Sequence, residues 1–265
     1  MSEVTRAVRR LSRMARAWIA DEPVTAAYHA DSFRAQQLLL RRRPPQTIFD
    51  VGANKGQTAL AYSRIFPAAR LHCFEPFPDS LAIFRDRCGH LPQVDAHGLA
   101  LADRAGKRRF FANACPTMNS LLPLADAAPQ YIDRDKTGTR DVVEVETTTI
   151  DAFCDERKID RIDVLKLDIQ GGELMALHGA REMLSGRKVG LIYTEILFGR
   201  LYEGQGDFHE ICAWLAGFDF QVFGLYNFHY GPNHHLSWGD AIFIGPALQD
   251  QLAPATGCSH LPHVA

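Results

Sequence analysis

Asp50-Val51-Gly52-Ala53-Asn54-Lys55-Gly56-Gln57-Thr58 is the stretch whose reading decides the fold. It follows the apolar run Thr47-Ile48-Phe49 and opens onto Ala59-Leu60-Ala61-Tyr62-Ser63-Arg64-Ile65-Phe66, which has the make-up of a helix. A strand that ends in Asp-x-Gly-x-x-x-Gly and turns into a helix is a nucleotide-binding turn. Its glycines let the backbone approach a ligand, and the helix start offers free N–H groups. The third glycine of the dinucleotide fingerprint is missing, which counts against a pyrophosphate cofactor. A second run, Arg70-Leu71-His72-Cys73-Phe74-Glu75-Pro76, ends in an acid 19 residues after Gly56. An acid at that spacing accepts hydrogen bonds from ribose hydroxyls. Glu75 alone could equally cap a strand end; with the glycine turn upstream, the ribose role is the better reading.

Outward from this unit, strands and helices alternate from Gln46 on, as in a parallel sheet covered on both faces. Helix 56–66 is followed by strand 70–75, helix 78–88, a strand from Val94 to Leu101 and another from Lys107 to Phe111. Residues 113–140 are rich in Ala, Pro, Thr, Asp and Gly and read as a long excursion of the lid or binding-loop kind. Val142 to Ile150 alternates as a half-exposed strand. Ile162 to Asp168 is a core strand, then come a helix from Gly172 to Leu184, strand Val189 to Glu195, helix 207–216 and two closing strands, 219–225 and 240–245. The expected division is an N-terminal helical extension over 1–45, a lid or dimerisation element; a catalytic domain over 46–248; and a tail over 249–265. Within the extension, Arg6, Arg9, Arg10, Arg13 and Arg16 interleave with apolar residues as a basic amphipathic helix, which makes a homodimer plausible. A second helix runs near Asp31 to Arg42.

Composition excludes several classes. With 46% hydrophobic and 23% charged residues over 265 positions, one soluble α/β domain is the natural count. A formal charge of −2 gives no basic surplus for nucleic acid. No run approaches the roughly 20 apolar residues of a membrane span, and no signal-peptide core precedes the first charges. The six cysteines form no C-x-x-C pair and fit free thiols in a reducing, cytoplasmic compartment.

Ligands of open α/β sheets bind at the carboxyl ends of the strands, which here carry Asp50 to Gly56, Glu75, Asp168 and Glu195. Asp168 ends Val-Leu-Lys-Leu-Asp and precedes Ile169-Gln170-Gly171-Gly172-Glu173, another glycine-bearing turn. Its alternative role is a helix N-cap, but the glycines lie closer to the helix start. Glu173 reads as first-turn dipole compensation.

Asp-Val-Gly-Ala-Asn-x-Gly-x-Thr, then Phe-Glu-Pro, then Leu-Lys-Leu-Asp-Ile-Gln-Gly-Gly-Glu-Leu with His178-Gly179-Ala180, resembles the FkbM family of S-adenosylmethionine-dependent methyltransferases. Thr149-Ile150-Asp151, Tyr193-Thr194-Glu195-Ile196 and Tyr202-Glu203-Gly204-Gln205 fit as well, so the likeness runs from about Thr47 to Gly245. It implies a class I methyltransferase fold: α/β, Rossmann-like, seven strands, the last antiparallel. It also implies O-methylation of a sugar, glycoside or secondary metabolite. Carried over, Gly52, Ala53, Asn54 and Gly56, with Thr58, would line the amino-acid end of S-adenosylmethionine. Asp50 would anchor the loop and reach the amino group through water. Glu75 would hold the ribose, Pro76-Phe77 and His97 to Leu101 the adenine, and Asn119-Ser120 would lie near cofactor or substrate.

An acceptor hydroxyl has to lose a proton, so a base or a metal is expected. Asp168 and Glu195 are candidates for the base, or for ligands of a divalent cation such as magnesium. The segment Asn227 to Asp240, between the last two strands, offers His235 and His229 instead. The competing readings are an NAD(P)-dependent oxidoreductase, built on the same first unit, and a non-catalytic nucleotide-binding scaffold.

Overall fold

A computed structural model describes residues 31–252. The elements in chain order are α1 (Ser32–Leu39), β1 (Thr47–Val51), α2 (Gln57–Ile65), β2 (Arg70–Phe74), α3 (Pro78–Cys88), β3 (Val94–His97), β4 (Ala100–Leu101), β5 (Gly106–Asn113) and β6 (Thr139–Thr148). They continue with α4 (Ile150–Arg157), β7 (Ile162–Leu167), α5 (Glu173–His178), α6 (Arg181–Ser185), β8 (Val189–Leu197), α7 (Phe208–Ala216), β9 (Gln221–Tyr230), β10 (Leu236–Ile244) and α8 (Pro246–Leu252).

Seven strands form one sheet in the order β3-β2-β1-β7-β8-β10-β9, parallel except for β10, which runs antiparallel to both neighbours. This is the expected class I arrangement. Side chains alternate across a strand, and each strand divides its residues between two cores. Phe49, Val51, Leu165, Leu167 and Ile192 face α4 to α7, while Ile48, Val164 and Leu191 face α1 to α3 and α8. With both faces covered, β7 is buried along its whole length, as an interior parallel strand should be.

Several expected elements are corrected. The helix over Gly172 to Leu184 is two helices, broken at Gly179-Ala180. A Cβ on Gly179 would stand 2.1 Å from the Ala102 carbonyl oxygen, so the chain turns where a side chain has no room. Asp151 caps the second piece, accepting from the Glu182 and Met183 N–H groups, while Thr149 caps α4 through Ala152 N–H. The strand over Val94 to Leu101 divides at Gly98-Leu99, where the chain leaves the main sheet for a small one of order β4-β6-β5. Most of the segment from Asn227 to Asp240 is strand, and only residues 231–235 form the turn of the hairpin. The second helix stops at Leu39, capped at its start by Asp31. The Arg-rich segment, Cys258 and the end of the tail lie outside the described residues.

The excursion after β5 is folded down as a roof with three short 3-10 turns. Tyr131 fastens it. A Cβ on Gly199 would meet the Tyr131 ring at 2.4 Å and one on Gly231 would meet its carbonyl oxygen at 2.7 Å, while Ser237 Oγ donates to that same oxygen at 3.0 Å.

Candidate active site

The turn after β1 is built on glycine by necessity. Gly52 has φ +78°, and a Cβ there would lie 1.9 Å from the Asp168 carbonyl oxygen. The N–H groups of Gly52 and Ala53 both donate to the Phe74 carbonyl, which ties the turn to the end of β2. Gly56, at φ +86°, starts α2 against Cys88.

Glu75 is reached by two main-chain donors. Asn54 N–H gives to Oε2 and Phe77 N–H to Oε1, each at 2.9 Å. Burial pushes the carboxyl up to about 7, against the pull of those two N–H groups. The Asn54 side-chain Oδ1 is buried and lacks a hydrogen-bond partner among the described residues.

Asp50 and Lys166 are opposite each other in the β1–β7 register and share the face that carries Ile48 and Val164. Lys166 Nζ stands 3.0 Å from Asp50 Oδ1, 3.7 Å from Asp168 Oδ2, and donates to the carbonyls of Val51 and Gly52. Burial works against the ammonium, but Asp50 and Asp168 outweigh it and hold the lysine above its ordinary pKa. The residue is therefore a fixed cation beneath the turn.

Past β7 the chain passes Asp168 and turns through Gln170 at φ +58° and Gly171 at φ +90°. Gln170 Nε2 donates to Asp168 Oδ1 at 2.9 Å and to Glu195 Oε2 at 2.8 Å. Tyr202 Oη donates to Gln170 Oε1 at 2.8 Å. Burial, and then the carboxylates Asp168, Glu173 and Asp240, push Glu195 well up, with Gln170 opposing. Glu173 is buried and accepts from Ile169 N–H at 2.8 Å. Its role is to clasp the turn, beyond the dipole compensation expected of it.

These elements surround a cavity of about 460 Å³, within the size range of small-molecule sites. Gly52, Ala53, Asn54, Thr58, Glu75, Pro76, Asn119, Asp168 and Glu195 line it. Asp50, Gly56 and Ser120 lie outside the lining. Asp50 is fully buried behind Lys166, and Ser120 Oγ donates to the Gln170 carbonyl instead. Leu99, Ala100 and Leu101 line the cavity beside Phe110, whereas His97 turns away onto His72 and Phe153. Neither candidate histidine belongs to the lining. His229 is exposed on β9, where it stacks on Trp238 with ring centroids 4.8 Å apart, and His235 is exposed in the hairpin turn. Trp238 itself lines the cavity, as do Ile132 and Lys136 of the roof.

Lys166, Gln170, Tyr202 and Phe110 escaped the sequence reading. A lysine inside Ile-Asp-Val-Leu-Lys-Leu, an otherwise core strand, was the signal available for the first. Where the sequence reading allowed a divalent cation between Asp168 and Glu195, the Gln170 amide nitrogen bonds to both acids. Among the described residues no group of three His, Cys, Asp or Glu side chains is placed to hold a metal ion, and no helix is long and apolar enough to cross a membrane.

Comparison with known proteins bears on this site. The methyltransferase FkbM domain matches residues 50–222. The 2-O-methyltransferase NoeI of Sinorhizobium fredii is 30% identical over 191 residues, covering 69% of this chain and 76% of that protein. The 31-O-demethyl-FK506 methyltransferase FkbM of Streptomyces tacrolimicus is 26% identical over 200 residues, covering 68% and 74%. Among solved structures, magnesium protoporphyrin IX methyltransferase from Synechocystis PCC 6803 with bound SAM aligns at a TM-score of 0.42 and 10% identity, covering 80% of this chain and 77% of that one.

Proposed function

We infer, since this chain belongs to the FkbM family of methyltransferases, that it transfers a methyl group from S-adenosylmethionine to a hydroxyl of a sugar, glycoside or secondary metabolite. The observation that carries the reading is the pair of acids Asp168 and Glu195, facing the same cavity as the Gly52 turn and Glu75. The names of both relatives specify transfer to oxygen. Membership of a methyltransferase family leaves the nicotinamide oxidoreductase and the non-catalytic scaffold without support.

The residues present fit the donor. Glu75 keeps lone pairs free beside its two main-chain bonds, and these suit ribose hydroxyls. Asn54 Oδ1, buried and otherwise unbonded, suits the ammonium of the amino-acid end. Phe110 and Leu99 to Leu101 offer an apolar slot for the base. Bound S-adenosylmethionine supplies an electrophilic methyl group on a sulfonium sulfur.

The chain's own part is to hold an acceptor oxygen in line and to remove its proton. Positioning of this kind contributes roughly 7–11 kcal/mol of barrier reduction. Glu195 is the base in this proposal: burial and the neighbouring carboxylates raise its proton affinity, so when ionised it is a stronger proton acceptor than an exposed carboxylate. Asp168 orients the hydroxyl, and Trp238, held flat against His229, gives a ring face for a sugar. Glu195 would take the hydroxyl proton as the acceptor oxygen is methylated, and the donor would leave as the neutral thioether, holding the electron pair of its broken sulfur–carbon bond. The buried thiols of Cys73, Cys88 and Cys154 support a reducing, cytoplasmic setting, and the near-neutral charge supports a small acceptor over nucleic acid.

The test is mass spectrometry of a panel of free sugars, methyl glycosides and glycosylated metabolites incubated with enzyme and S-adenosylmethionine. The expected result is the mass gain of one methylene, on oxygen. Gains confined to nitrogen acceptors would overturn the reading, as would full turnover in Glu195→Gln.

A further inference from the structure

The two acids on the cavity floor are joined by an amide. Gln170 Nε2 lies 2.9 Å from Asp168 Oδ1 and 2.8 Å from Glu195 Oε2, so both of its hydrogens are engaged. Two carboxylate oxygens converging on one point are the ligand pair a hard divalent cation seeks. Here that point holds an amide nitrogen.

The amide is fixed on its other side as well. Tyr202 Oη donates to Gln170 Oε1, and Ser120 Oγ donates to the Gln170 carbonyl at 2.7 Å. Tyr202 is fully buried, and Gln205 closes its loop by accepting from the Leu201 and Tyr202 N–H groups and donating to the Gly199 carbonyl. The Tyr202-to-Gln205 stretch thus ends on the Gln170 amide. A turned amide would set Oε1 against two carboxylates and leave the Tyr202 hydroxyl only its longer bond, 3.2 Å, to the Met118 carbonyl. Lys166, 3.7 Å from Asp168, supplies positive charge from below.

We propose that Gln170, held by Tyr202, is a positioning residue that stands where a divalent cation would stand, and that methyl transfer in this enzyme proceeds without one. The amide keeps two acids side by side, as a cation would, yet leaves each a second oxygen for the acceptor. The proposal rests on Asp168 and Glu195 being the acceptor-side acids.

Manganese binding to the full chain, followed by electron paramagnetic resonance, tests it without any acceptor. Wild type is expected to bind no manganese at this site at millimolar metal. Gln170→Glu, which sets a third carboxylate at the same point, is expected to bind one ion, and adding Glu195→Gln should abolish that binding. Gln170→Ala opens the point without adding charge, should bind more weakly than Gln170→Glu, and carries the test if the glutamate variant fails to fold. Wild-type manganese binding that disappears in Glu195→Gln would overturn the proposal, because the amide would then yield to the cation. Folded Gln170 variants that gain no manganese would overturn it too, as would chelation abolishing wild-type methyl transfer. If the manganese results hold while no hydroxyl acceptor is methylated, the acceptor assignment falls and the geometry of the two acids stands.

Discussion

Replacing Glu75 by Gln tests the cofactor half of the site, and its effect can be worked out from the structure. The carboxylate accepts two main-chain N–H groups and is raised by burial to about 7. Ribose hydroxyls donate to the ionised form, so binding draws on the ionised fraction of the free protein. With a midpoint near 7 that fraction is about one eleventh near pH 6 and about ten elevenths near pH 8, so affinity rises about tenfold between them. In the unliganded protein the sign is opposite for stability. Folded Glu75 holds its proton more tightly than unfolded Glu75, so its contribution is greatest below the ordinary carboxylate range and is lost as pH climbs through about 7. Glu75→Gln removes the titration and replaces a charge-assisted bond, so affinity at the alkaline end falls by roughly 2 kcal/mol, or about thirtyfold. Titration calorimetry with S-adenosylhomocysteine at several pH values measures both effects. A flat wild-type profile would refute the reasoning. A rise that survives in the glutamine variant would move the titration to Glu173, which burial also pushes up to about 7.

Three further outcomes are expected. Gly52→Ala should abolish S-adenosylhomocysteine binding, because the Cβ would fall 1.9 Å from the Asp168 carbonyl oxygen at a left-handed φ; calorimetry showing ordinary affinity would contradict it. Lys166→Met should leave Asp50 buried and unpaired, costing about 3–5 kcal/mol and lowering the melting temperature by about 10 °C; a melting curve matching wild type would show that the pair is not structural. Trp238→Ala should raise the acceptor KM at least about tenfold, the equivalent of about 1.4 kcal/mol, and leave cofactor affinity unchanged; equal loss of both would mean that the ring supports the cavity wall instead of the acceptor.

The residues themselves carried the strand–turn–helix unit and the acid after β2, because backbone approach and ribose recognition each demand particular residue types at short spacing. Asp168 and Glu195 were found by the rule that strand ends face the ligand. Ion pairing across strands was harder to read, since Asp50 and Lys166 are 116 positions apart and meet only through register. Gln170 stands between an acid and two glycines with nothing local to mark its role, and its partner Tyr202 arrives from beyond β8. The two histidines misled because aromatic and polar residues from Asn227 to Asp240 read as loop, whereas their pairing with β8 and with each other makes strand of most of them. Strand pairing is a property of the partner as much as of the segment.

The fastening of the roof by Tyr131 has a consequence for engineering acceptor choice. Residues 114–137 behave as a cassette whose sockets, Gly199, Gly231 and Ser237, belong to the recipient scaffold. A graft from a relative should seat only if it brings a tyrosine at the matching place, and a recipient with any larger residue at either glycine would reject it whatever its lining. Exchange of substrate range within this framework therefore hinges on three positions outside the cavity lining.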